Sequence, residues 1–191
     1  MARISLICPL ALVCLAGAAA PAAATHPDRL DAGFGDNGRV VLDGAVPATG
    51  GGSAPRPGGG VVIALTGGRV LALTRAGRPD PAFGSGGMST AFATVPGELG
   101  TGAVATDPAG RVVLAGSVSM RLPQLPGHRT PAEIRQMAVG RLGLDGRPDP
   151  DFAGGQLRLL PALDGDAEVT AAAVAPDGSV LLAGPAAGGV V

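Results

Sequence analysis

The chain of 191 residues contains no Trp, no Tyr and no Lys, and only two Cys, two His and four Phe. Each shortage closes off a class of function. Without Trp or Tyr there is no large aromatic platform on which sugars or bases stack. The 14 basic residues are all Arg and face 15 acidic ones, so no broad cationic surface exists and no nucleic acid is expected as a partner. His26 and His128 are the only imidazoles, and no G-x-S-x-G elbow accompanies them. H-E-x-x-H, phosphate-loop and dinucleotide fingerprints are missing as well. Catalytic residues, a cofactor and a metal are therefore all read as none.

The two cysteines have their own explanation. MARISLICPLALVCLAGAAAPAAA carries one early charge, Arg3, an apolar run over residues 4–15 and a small-residue exit. This pattern predicts a signal peptide over residues 1–24, cut after Ala24, and hence a secreted or periplasmic protein. A membrane anchor fits less well, because the run is marginal for a span and Pro9 interrupts it. A lipid attached at Cys14 would want a small residue where Val13 stands. Cys8 and Cys14 both leave with the peptide, so the mature chain (25–191) is expected to have no disulfide, no thiolate metal site and no membrane span. Loss of Arg3 moves the net charge from −1 to −2.

What the chain does contain is Gly (33) and Pro (18), together with 46% hydrophobic and 15% charged residues. Short buried strands joined by tight turns account for that mixture better than disorder does. A repeat supports this. RPDPAFGSGG (78–87) reappears as RPDPDFAGG (147–155) and, more loosely, as RLDAGFGDNG (29–38). GRVVLAG (110–116) is matched by GSVLLAG (178–184) and loosely by GGVVIAL (59–65), and VLALTRAGRPD (70–80) aligns without a gap against VGRLGLDGRPD (139–149). The aliphatic runs are strand-like and Gly-bounded, and D-P-A-G and P-D-G before them read as hairpin turns. One unit reads as strands over 88–95, 101–106, 111–117 and 136–143, closed by the D-x-x-F turn. Four short antiparallel strands per repeat is the blade pattern of a β-propeller. The expected fold is all-β, with two complete blades and one incomplete. Units span about 34–83, 83–152 and 152–191, with a loop insertion at 118–135.

FGSGG, DPAGRVVLAG and MAVGRLGLDGRPDPDF, in that order, resemble the delta-60 repeats of secreted bacterial proteins, a β-propeller family of unknown function. The resemblance covers residues 28–184 and implies architecture, with no activity attached. Three departures stand out. Ala153 replaces the Gly after Phe152, Gly58-Gly59-Gly60 stands where Asp-Gly is expected, and the last unit (169–191) stops before its fourth strand.

The repeated motif residues are Asp31 and Phe34, Asp80 and Phe83, Asp149 and Phe152. A repeated carboxylate suggests calcium, but a calcium loop needs several oxygens close together, and the alternation begun by Asp149 and Asp151 stops at Ala153. The structural alternative has each Asp cap its own turn while Phe fills the space between blades. In the insertion, Thr130-Pro131-Ala132-Glu133 predicts the start of a short helix. Arg121, His128, Arg129 and Arg135 gather there against the single acid Glu133, which makes an anionic ligand or surface glycan the binding hypothesis for this loop. With few repeats for a ring, self-association to complete the propeller is a further expectation. The function read from the sequence is an uncharacterised exported scaffold or interaction module. An extracytoplasmic enzyme or an anionic-glycan binder is the alternative.

Overall fold

A computed structural model of the protein describes residues 30–42, 51–93, 98–121, 133–160, 166–186 and 189–190. Apart from Leu30 these belong to one compact unit, Asp31–Val191. The signal segment, Cys8, Cys14, His26, His128 and Arg129 lie outside the described residues.

The described fold is all-β. A first antiparallel sheet takes β1 (Ser53–Pro55), β2 (Val61–Leu65), β3 (Arg69–Leu73) and β4 (Met88–Ser89) in sequence order. A second repeats the plan with β5 (Glu98–Thr106), β6 (Val112–Arg121), β7 (Glu133–Leu142) and β8 (Arg158–Leu159). A third unit begins with the hairpin β9 (Ala171–Val174) and β10 (Val180–Ala183), followed by a short pair, β11 (Pro185–Ala186) and β12 (Gly189–Val190). These are propeller-like blades, two complete and one partial.

Each sheet buries residues on both faces, which is why its strands read as near-continuous aliphatic runs. In β6, Val112 and Leu114 face the first sheet while Val113 and Ala115 face the third unit, and Val112, Val113 and Leu114 are fully buried. The innermost strands lie side by side, with β5 packed against β1 on one flank and β9 on the other. β5 carries a bulge between Thr101 and Ala103. The bulged residue is Gly102, and a β-carbon there would sit 1.7 Å from the Val169 carbonyl oxygen, so only glycine lets the two backbones approach. Side chains lock the sheets further: Thr106 Oγ1 donates to the Pro55 carbonyl (2.7 Å) and Thr101 Oγ1 to that of Leu65 (2.9 Å).

Two expectations are corrected. The D-x-x-F turn does not close a unit. It lies inside each blade, between the third and fourth strands. Residues 88–89 pair with β3, as Val70↔Ser89 and Leu71↔Met88, so they end the first sheet, and the next one opens at Glu98. The helix expected from Thr130 is also absent at its described end, because Glu133 is already in strand. β7 pairs with β6 without a break from Arg121↔Glu133 to Val112↔Leu142. Ten consecutive cross-strand partners outweigh one local capping signal.

Candidate functional site

The repeated motif forms the same turn three times. Asp31 Oδ1 accepts the Gly33 N–H (2.9 Å), Asp80 Oδ1 that of Ala82 (3.0 Å) and Asp149 Oδ1 that of Asp151 (3.0 Å). The backbone repeats as closely: Asp80 N–H donates to the Ala72 carbonyl and Asp149 N–H to that of Arg141, both at 2.9 Å.

At Asp80 and Asp149 the second carboxylate oxygen is also taken. Arg56 Nη1 donates to Asp80 Oδ2 at 2.6 Å, with its guanidinium carbon 5.3 Å from the centre of the Phe83 ring. Arg141 Nε donates to Asp149 Oδ2 at 2.7 Å, and its guanidinium stands 5.0 Å from the Phe152 ring. The two arrangements are alike, although Arg56 donates through Nη1 and Arg141 through Nε, and the two arginines are not equivalent. Arg56 opens the turn after the first strand, where the second unit has Asp107 and the third Ala175; each donates its N–H four residues ahead, to Gly60, Arg111 and Ser179. Arg141 lies on the third strand, where the first unit has Ala72. Arg111 adds a link of its own, holding Asp107 through Nε (2.6 Å) and reaching Asp149 at 3.5 Å.

These contacts fix the charge state of the turns. Asp80 is held below its ordinary pKa of 3.8 by the Arg56 hydrogen bond, helped by the Ala82 amide. Burial pushes Asp107 up, but its hydrogen bonds to the Arg111 side chain and backbone outweigh this and leave it lowered. Asp177 is lowered by bonds from the Ser179 side chain and amide. Among the described residues no group of three or more His, Cys, Asp or Glu is placed to hold a metal ion. None of the described helices is long and apolar enough to cross a membrane.

The phenylalanines mark three seams. Phe83 is fully buried between the first and second sheets. The motif is sewn to the next unit: Gly84 N–H donates to the Asp145 carbonyl (2.7 Å) and Ser89 Oγ to that of Gly146 (2.6 Å). The seam before it is made alike, with Gly35 N–H donating to the Ala76 carbonyl (3.0 Å) and Phe34 packed on Leu65, Leu71 and Leu73. In both, the turn after the next blade's third strand covers the Phe–Gly step. At Phe152 no described turn does so. The ring is half-buried against Val180 and Leu182 and borders an open groove of about 740 Å³.

Of the four insertion residues, Arg121 is exposed at the end of β6, and Arg135 lies on the same face of the β6–β7 ribbon. The two are not joined in a site. Arg135 is ion-paired with Glu168, and its N–H donates to Asp166 Oδ1 (3.0 Å). The Arg135–Glu168 pair borders a polar hollow of about 470 Å³ that also meets Ser117, Ser119 and Thr101. Sequence reasoning overlooked Arg56 and Arg141. Arg141 lies in an aliphatic strand, but Arg56 follows Ser-Ala-Pro in a Gly/Pro-rich stretch with no such signal.

Comparison with known proteins found no matching family model, curated protein or solved structure.

Proposed function

We propose that this chain is an exported β-propeller repeat protein of the delta-60 kind, acting as a structural or interaction scaffold. One observation carries the reading. The carboxylates of Asp80 and Asp149 are each spent on their own turn amide and on an arginine over their own phenylalanine, so the repeated residues build seams. The export half rests on residues 1–24 of the sequence. The test is native mass spectrometry of protein recovered from the export compartment of a bacterial host, with and without calcium. The expected species start at Thr25, form multiples of one mass and take up no calcium. A chain retaining residues 1–24 would sink export, and a calcium-bound monomer would sink the scaffold.

A second reading, an anionic-glycan binder, is favoured by the exposure of Arg121 beside the insertion. Arg135 contributes little to it while Glu168 neutralises its guanidinium. Loss of retention on an anionic glycan resin in the double variant Arg121→Ser, Arg129→Ser would support this reading; unchanged retention would end it.

A further inference from the structure

We propose that Asn37 is a deamidation site whose reaction is held in check by the docking of Phe34 against the first blade. It is the only asparagine in the chain, and Gly38 follows it. Glycine has no β-carbon to obstruct closure of the asparagine side chain onto the next backbone nitrogen, which makes this pair the most reactive of its kind. The reaction needs nothing but water. The Gly38 nitrogen gives up its proton and bonds to Asn37 Cγ. The carboxamide C–N bond breaks, and its nitrogen leaves as ammonia with that proton. Water then opens the five-membered imide at either carbonyl, leaving aspartate or isoaspartate at position 37.

The fold ties up both reacting groups. Asn37 (φ 51°) and Gly38 (φ 85°) are the two corners of a tight hairpin turn, closed by the Asp36 and Arg39 backbones at 2.7 and 3.0 Å. Gly86 and Gly87 make the same turn after Phe83, so the geometry belongs to the repeat. The Gly38 N–H donates to the Phe34 carbonyl (2.8 Å), and Asn37 Nδ2 donates to Asp36 Oδ1 (3.0 Å). The nucleophile is released when its bond to Phe34 opens, and Phe34 is fixed from outside its own turn. Its ring packs on Leu65, Leu71 and Leu73, and the next N–H, that of Gly35, donates to the Ala76 carbonyl (3.0 Å). Val40 closes the far side, so tightly that a β-carbon on Gly77 would lie 2.8 Å from Val40 Cγ2 and 2.6 Å from the Gly35 nitrogen. Asn37 itself is exposed, so water and hydroxide reach it freely. The rate of deamidation is then set by local opening of this seam, which takes less free energy than global unfolding. Isoaspartate adds a methylene to the main chain of a two-residue turn, whose cross-strand bonds can no longer all re-form. A transient opening is thereby made permanent.

The test incubates the exported protein at mildly alkaline pH beside a free peptide of residues 29–41, RLDAGFGDNGRVV. Isoaspartate at position 37 is followed by peptide mapping. The folded chain should react about tenfold more slowly than the peptide, or slower still. That retardation should match the protection of the Gly38 amide against hydrogen exchange in the unmutated protein, since both need the same opening. Phe34→Ala, and from the receiving side Gly77→Ala, should each bring the rate to within about threefold of the peptide. The comparison of retardation with exchange protection needs no variant, so it decides the matter even where a substitution unfolds the chain. A folded protein reacting as fast as the peptide, a retardation unrelated to Gly38 protection, or an unchanged rate in Phe34→Ala would each overturn the proposal.

Discussion

The seams at Phe83 and Phe152 are built from nearly the same words and end in different states. Both have Asp-Pro-x-Phe, an amide on Asp Oδ1, an arginine on Oδ2 and over the ring, and a two-residue fourth strand that starts five residues after Phe83 and six after Phe152. At Phe83 the next blade supplies a third strand and turn, and the ring is 0% exposed. At Phe152 no described strand and turn supply that cover, and Leu181 on the hairpin's far face is 61% exposed, whereas its counterparts Val62 and Val113 are at 0%. The motif makes its turn unaided. The seam is a property of two neighbours, as expected of repeats whose stability is shared at interfaces.

The sharpest way to break this comparison is to truncate each ring. Phe83→Ala should cost about 4 kcal/mol, the usual loss for a fully buried Phe, and Phe152→Ala about half that or less. Equal shifts in urea midpoint would mean that the Phe152 seam is as closed as the other. Next comes the residue after Phe. Gly84 has φ 59° and a β-carbon there would lie 2.1 Å from the Met88 carbonyl oxygen, so Gly84→Ala should cost about 3 kcal/mol. Ala153 keeps a left-handed φ of 50°, and its loop changes to suit: Gly155 donates to Phe152 and Gln156 to Ala153, in place of the Gly87-to-Phe83 and Ser85-to-Met88 bonds. Ala153→Gly should therefore raise stability, by about 0.5 kcal/mol once glycine's chain entropy is set against the strain relieved.

Acid tests the same turns. Asp80 and Asp107 have lowered folded-state pKa values, so their contribution is complete above the ordinary 3.8 and is lost as pH falls through the folded values. Thermal melts should be level from about pH 5 upward, in so far as these groups decide, and fall below about pH 4. Asp80→Asn should flatten that fall and cost about 1 kcal/mol at neutral pH. An unchanged acid limb in this variant would mean that Arg56 does little for the Phe83 seam.

The repeat, the hairpin turns and the aliphatic strands were legible because they are local. Arg111–Ser117 and its partner near 103–106 form a hairpin where expected, though β6 runs on to Arg121. The phase of the blade was not legible. Met88–Ser89 can be assigned to the first sheet only from its pairing with Val70 and Leu71, and a two-residue strand has no periodicity to read. The capping pattern before Glu133 was legible and misleading, since it competes with long-range pairing that a local window does not contain. The sources of the guanidiniums, Arg56 and Arg141, were hidden because they occupy different places in their units.

That difference in source bears on how such repeats diverge. A duplicated blade that gained an arginine on its third strand would hold its turn carboxylate twice over. From then on the arginine of the first turn is free to change, and the second blade carries Asp107 in its place, itself tied to Arg111. The reverse order would pass through a blade whose nearly buried Asp lacked that cation, a costly intermediate. Two copies can thus lose recognisable likeness at both positions while every ancestor along the way keeps the same turn.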